Sequence, residues 1–172
     1  MSYQVSDGDL SDAVQTTISV TAVNDAPVAD DSVAFTMNED GTITITELQL
    51  LGSSSDVEDD DLHVENLVAS DGNLTDNDDD TWTFTPAGNF NGTIDLSYDV
   101  SDGAASDTVQ TTISVAAVND VPVADGSVAF AMNEDGTLTI SETELLGAST
   151  DADGDGLHVE NLSVSGGGLE DN

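Results

Sequence analysis

Residues 151 to 156 read DADGDG, with aspartates at the first, third and fifth places and glycine at the sixth. Carboxylates two residues apart on a loop suit a hard divalent cation. Calcium accepts about six to eight oxygen ligands in irregular geometry, whereas magnesium keeps its waters and demands octahedral order. An EF-hand loop would also need a bidentate Glu at its twelfth place and flanking helices. The twelfth place here is Leu162, and LHVEN (157 to 161) alternates apolar and polar as a strand does. Earlier in the chain DVEDDD (56 to 61) precedes the same LHVEN run. The glycine is absent there, yet acidic residues keep the first, third and fifth places. Asp56, Glu58 and Asp60 in one loop, and Asp151, Asp153 and Asp155 in the other, are therefore expected metal ligands, with Ca2+ as the ion.

The overall charge supports the same chemistry. The 172 residues contain no Lys or Arg and 36 acidic residues, a formal net charge of -36. Apart from His63 and His158, no side chain can pair with those carboxylates. Two like charges about 4 Å apart cost roughly 1 kcal/mol even at the dielectric of water, so a cation from solution is the natural remedy. Direct nucleic-acid binding is excluded, because phosphate recognition is built on Lys and Arg. An electrostatic hold on an anionic membrane fails for the same reason. No apolar run approaches the ~18 residues that would span a bilayer, so no membrane insertion is expected. No signal-peptide pattern is present, and an exported protein would carry its address outside these residues. The absence of Cys fits a cytosolic protein or a disulfide-free exported one.

Other chemistries find little support. His63 and His158 are expected on an outward strand face, without the partners a zinc site requires. Paired carboxylates could serve a glycosidase, but among so many acidic residues a pair carries no information. No nucleophile elbow is present, and SGGGLEDN (165 to 172) does not match a glycine-rich calcium nonapeptide. No enzymatic activity is expected. The run DNDDDT (76 to 81) reads as an exposed hairpin tip.

The elements that must position these loops are strands. VQTTISVTAV (14 to 23), GTITIT (41 to 46), TWTFT (81 to 85) and TIDLSYDV (93 to 100) alternate apolar with polar and are rich in Thr, Ile and Val. One helix-like patch, TELQLLG (46 to 52), interrupts them. Leu62, Val64 and Leu67, Trp82 and Phe84, and Leu96, Tyr98 and Val100 are the expected core residues. The pattern also repeats: SYQVSDG (2 to 8) returns as SYDVSDG (97 to 103), and MNEDGT (37 to 42) as MNEDGT (132 to 137). The offset is 95, and roughly 53 of 77 overlaid pairs are identical, the mark of a tandem array. Residues 1–23 then end a preceding repeat, 24–118 form a complete one, and 119–172 begin a following one. About seven short strands in roughly 95 residues indicate an all-β fold of Greek-key β-sandwiches.

The order NEDGTITITELQLLGSSSDVEDDDL, TFTPAGNFNGTIDLSYDVSDG and VQTTISVAAVNDVP resembles the cadherin-like tandem repeats of large bacterial surface adhesins, of the tandem-95 and VCBS kind. The resemblance implies sandwiches strung end to end, with calcium ions rigidifying their junctions. Of the cadherin junction motif D-x-N-D-N-x-P the central pair matches as Asn24 and Asp25, and again as Asn119 and Asp120. Its flanking ligand positions are Ala22 and Ala26, then Ala117 and Val121. Glu39 and Glu134 resemble the glutamate near the first strand, while Asp7 and Asp102 resemble the aspartate after the penultimate strand. The implied function is a calcium-binding structural spacer on an extracellular bacterial adhesin. The implied partners are calcium ions and neighbouring repeats of the same chain. The alternative is a carbohydrate-binding or self-associating module, joined head to tail through its partial end repeats. Carbohydrate binding ranks lower, because the single Trp and both Tyr fall at expected core positions.

Overall fold

Thr, Ile and Val at every second position favour a pleated, half-buried surface, and the regular structure of the chain is almost all strand. The structure, a computed structural model, describes residues 1–168. In chain order they form β1 (Ser2–Ser6), β2 (Ser11–Gln15), β3 (Phe35–Asn38), β4 (Ile43–Thr46) and the short helix α1 (Glu47–Leu51). There follow β5 (His63–Ala69), β6 (Asn73–Asp76), β7 (Thr81–Thr85), β8 (Gly92–Ser101), β9 (Ser106–Ala116) and α2 (Glu142–Leu146). A four-stranded sheet has the order β3-β9-β8-β5 and a three-stranded sheet the order β4-β7-β6, while β1 and β2 form a separate hairpin. These seven strands, β3 to β9, make up the expected β-sandwich.

One pairing departs from hairpin logic. β3 lies parallel to β9, with Phe35 opposite Ile113 and Met37 opposite Val115. Along β8 the inward set is Ile94, Leu96, Tyr98 and Val100, and along β9 it is Val109, Ile113 and Val115. Period-two alternation delivers each set to one face. In the three-stranded sheet Phe84 is fully buried, with Ile43 and Leu74 as its register partners, while Trp82 is half-buried.

The chain divides into two compact units. One comprises Met1–Val33, Glu47–Leu67 and Ser97–Gln110. Its core holds Leu50, Val64, Tyr98, Val100 and Val109. The Tyr98 hydroxyl donates to the Leu50 carbonyl at 2.7 Å. In the same unit Asp30 accepts from the Ser32 and Ser53 amides, each at 2.9 Å. A Cβ on Gly52, at φ +53°, would meet Asp30 Oδ2 at 2.5 Å, so glycine is required there. The other unit comprises Ala34–Thr46, Val68–Leu96 and the chain from Thr111 onward, with Met37, Ile45, Phe84, Ile94, Leu96, Ile113 and Val115 buried.

Burial, and secondarily the charge of Asp30, pushes the Tyr98 hydroxyl up to about 12 from its ordinary 10.0. The folded protein thus holds this proton more tightly than the unfolded chain. The resulting stabilisation is complete below pH 10 and is lost as pH rises toward 12. Tyr98→Phe leaves the Leu50 carbonyl without its donor and should cost about 1–3 kcal/mol at neutral pH. Denaturant melts of both proteins from pH 8 to 12 would check this, since the gap between them should close at the alkaline end.

The strand expected over 14–23 stops at Gln15, and that over 41–46 begins at Ile43. Residues 130–133 and 138–140 nearly copy β3 and the start of β4, yet they form no strand, and Phe130, Met132, Leu138 and Ile140 are exposed. The reason is physical: a strand exists only with a partner. In the complete set those partners are β9 and β7, and among the described residues none pairs with 130–133 or 138–140 in their place. Local structure survives where sheets do not. α2 keeps its capping box between Ser141 and Glu144, and the Val28–Ser55 bridge has a counterpart at Val123–Thr150. Tyr3, expected in a core, is exposed because among the described residues nothing covers the β1–β2 hairpin.

Candidate metal centre

Two carboxylate clusters form, one in each unit. In the first, the loop after the Val28–Ser55 bridge folds on itself. Asp56 Oδ1 accepts the Glu58 amide at 2.8 Å and the Asp60 amide at 3.4 Å. Glu58 Oε2 accepts the Asp25 amide at 3.3 Å. Asn24 Nδ2 donates to its neighbour's carbonyl, Asp25 O, at 2.9 Å and to Asp102 Oδ2 at 3.0 Å. Thus the acidic loop, the Asn-Asp pair before proline, and the turn after β8 meet. The Ala105 amide, the Asn24 side chain and the Ala104 amide hold Asp102 below the usual carboxylate range. Asp7, in the matching turn after β1, is lowered by the Leu10 and Asp9 amides in the same way. Such donors to the charged form keep these groups ionised.

The second cluster repeats the first. Asp151 Oδ1 accepts the Asp153 amide at 3.0 Å and the Asp155 amide at 3.1 Å. Asp153 Oδ2 accepts the Asp120 amide at 2.7 Å, and Asn119 Nδ2 donates to the Asp120 carbonyl at 2.9 Å. A further group joins from the end of β3. Glu39 is buried, its amide bonded to the Ala116 carbonyl at 3.0 Å and its Oε1 to the Val118 amide at 2.7 Å. Asp120 is pushed up from its ordinary value, first by burial, then by the charges of Asp40, Asp153, Glu39 and Asp151. Mutual repulsion in a partly desolvated place is the cause.

Three buried carboxylate oxygens have no hydrogen-bond partner: Glu39 Oε2, Asp56 Oδ2 and Asp120 Oδ2. A buried acceptor left unpaired is costly. All three belong to the clusters just described, and an oxygen-seeking cation would satisfy them. The donor set, carboxylates with Asn and backbone carbonyls, is the hard-oxygen set that calcium prefers. Among the described residues, no three His, Cys, Asp or Glu side chains are already gathered closely enough to hold an ion. Ion binding would therefore draw the carboxylates together from these positions.

Asn24, Asp25, Asp56, Glu58, Asp60 and Asp102 fall in the first cluster, and Glu39, Asn119, Asp120, Asp151, Asp153 and Asp155 in the second. Glu134 does not join either. It is exposed in the segment that lacks its sheet. Asp40 was not expected; at φ +55°, with Oδ1 accepting the Asn89 amide at 3.0 Å, it reads from sequence as a turn residue. Its adjacency to Glu39 was the available signal. His63 lies 3.7 Å from Glu47 and His158 the same distance from Glu142, both exposed and apart from the clusters.

A family model described as "Cadherin-like domain" matches residues 23–116 and 118–172. No curated protein matches the chain. Among solved structures, endo-fucoidan hydrolase MfFcnA4 from glycoside hydrolase family 107 is 23% identical over 68% of this chain and 18% of that chain, at a TM-score of 0.37. Endo-fucoidan hydrolase MfFcnA9 from the same family is 20% identical over 67% and 22%, at a TM-score of 0.33. The chain spans about a fifth of the length of those structures, and likeness at this level bears on neither activity nor substrate. Among the described residues, no helix is long and apolar enough to cross a membrane.

Proposed function

Because the chain belongs to the cadherin-like domain family, a group of adhesion-type modules, we propose that it is a calcium-binding structural spacer from an extracellular bacterial adhesin of the tandem-95 or VCBS kind. The observation that carries this reading is the set of three unpartnered buried carboxylate oxygens in a chain without Lys or Arg. Asp56, Glu58, Asn24, Asp25 and Asp102 would hold calcium at one place. Glu39, Asp120, Asp151 and Asp153, with Asp40 beside them, would hold it at the other. When bound, the ion supplies positive charge and oxygen coordination, and no catalysis is implied.

The chain's own residues determine what binding would do mechanically. Val118 and Asp120, two residues apart in the connecting segment, donate their amides to Glu39 at the end of β3 and to Asp153 in the next acidic loop. Drawing those carboxylates onto one ion would fix that segment and stiffen the junction. A ligand that binds only the folded state adds RT ln(1 + [L]/Kd), about 2.7 kcal/mol at a hundredfold excess over Kd.

Calorimetric titration with calcium should give saturable binding. Replacing Asp151 and Asp153 by Asn, or Asp56 by Asn together with Glu58 by Gln, should each remove part of the stoichiometry. No binding heat would overturn the calcium reading; unchanged stoichiometry in both variants would overturn the loop assignment.

A further inference from the structure

Where Asp precedes Gly, the backbone amide can attack its neighbour's side chain, because glycine brings no Cβ to shield the nitrogen. Eight such pairs occur in the chain. In five of them the carboxylate is engaged elsewhere. Asp7, Asp102 and Asp125 accept the amide two residues on, while Asp40 accepts that of Asn89 and Asp153 that of Asp120. Asp71 differs from all of these. Its Oδ1 lies 2.6 Å from the Gly72 nitrogen itself, so Cγ, one bond from that oxygen, is held beside the group that would attack it.

Both residues are exposed in the turn between β5 and β6. The turn is fixed on either side of their bond. Ser70 donates its amide to the Asp95 carbonyl at 2.8 Å and accepts the Asp95 amide on Oγ at 3.0 Å. Gly72, at φ +78°, sits against Phe84, and a Cβ there would come within 2.8 Å of the ring and of the Thr85 carbonyl oxygen. Anchors this close restrict how far Asp71 and Gly72 can turn apart. Holding two reacting groups near contact lowers the barrier to their joining.

We propose that Asp71–Gly72 is a self-modification site, where the backbone rearranges through a succinimide to isoaspartate with water as the only co-reactant. The Gly72 nitrogen bonds to Asp71 Cγ while its proton and the carboxyl hydroxyl leave together as water, closing a five-membered ring. Water then adds to either ring carbonyl. Addition at Cγ breaks the new bond and restores Asp71. Addition at the main-chain carbonyl carbon breaks the original peptide bond, so the chain runs onward through Cγ and gains a methylene. No electrons are transferred and the overall formula is unchanged. The lengthened backbone must then fit between the Ser70–Asp95 bonds and the Asn73–Thr85 rung, which strains the packing of Gly72 on Phe84. At the matching place one repeat on stands Gly166, which has no carboxyl to react. Neither step involves a metal ion, and Asp71 belongs to neither carboxylate cluster, so the inference is independent of the calcium reading.

Incubating the full chain for weeks in chelator at neutral pH tests it, with fragmentation mass spectrometry that distinguishes the two linkages at each Asp–Gly. Isoaspartate should accumulate at Asp71 about tenfold faster than at Asp7, Asp40, Asp102, Asp125 or Asp153, and in urea the rates should converge. Asp71→Asn, which expels ammonia more readily than the acid expels water, should reach isoaspartate sooner still. Asp71→Glu moves the side-chain carbonyl carbon a bond further from the nitrogen and should abolish the product, while melting as the native protein does when both are fresh. After incubation the native protein should melt several degrees below Asp71→Glu treated alike. Isoaspartate that forms at Asp71 no faster than at the other five, or an advantage that survives unchanged in urea, would overturn the proposal.

Discussion

Asp120→Asn should raise the melting temperature in chelator and abolish most of the rise that calcium gives the native protein. In chelator, burial and the charges of Asp40, Asp153, Glu39 and Asp151 disfavour the ionised Asp120 carboxylate in the folded state. Its folded pKa therefore lies above the unfolded one. The penalty is fully present above the folded pKa and fades as pH falls through it, so the benefit of Asn should be largest near neutrality and shrink in acid. With calcium present, the same substitution removes a charged oxygen ligand and should weaken binding about tenfold or more, because affinity follows ligand charge. Proton competition should likewise weaken calcium binding by the native protein in acid. Thermal melts of both proteins at pH 7.5 and at pH 4.5, each with calcium and with chelator, give the comparison. A substitution that shifted melting in the same direction with and without calcium would sink the assignment of Asp120 as a ligand.

Phe84→Ala should lower the free energy of unfolding by about 3–5 kcal/mol, the range for deleting a buried aromatic ring. Phe84 is fully buried in β7, the central strand of its sheet, opposite Ile43 on one side and Leu74 on the other. Its ring also occupies the space beside Gly72, where a Cβ would come within 2.8 Å of Cε2 and Cζ. The loss is one of packing and transfer. Phe130→Ala, at an exposed position in the tail, is the control and should change stability by less than about 0.5 kcal/mol. Urea melts that shift midpoint for Phe84→Ala with unchanged slope would confirm the difference. Similar effects at both sites would mean that the tail buries Phe130 in solution.

Much of the fold is legible in the sequence because it depends on local periodicity. Leu96, Tyr98 and Val100 alternate into the core, and TELQLLG contains α1. The acidic loops are legible for the same reason, since their spacing is a property of a few consecutive residues. What sequence alone does not convey is pairing over distance. Residues 16–21 share the alternation of 111–116 but lack β3 beside them, and so remain outside any strand. Glu134 copies Glu39 within an identical NEDG, yet only Glu39 has the amide of Val118 to accept and the burial that makes its second oxygen an orphan. Asp40 carries no ligand signal in the sequence, because a turn residue there needs no ligand role to explain it. Identity at matched positions carries over a conformation only when the partners come with it.

The parallel pairing of β3 with β9 decides how this module meets tension. β3 is the first strand of its sandwich and β9 the last. Because they run side by side in the same direction, a pull on the two ends drags them in opposite senses along their common axis. The Phe35–Ile113 to Asn38–Ala116 rungs then share the load together, where an antiparallel terminal pair would open one rung at a time. Rupture is governed by the unfolding rate under load, and shear loading of all rungs makes that rate low. Under such a load this short patch of sheet would act as the tensile clasp of the sandwich.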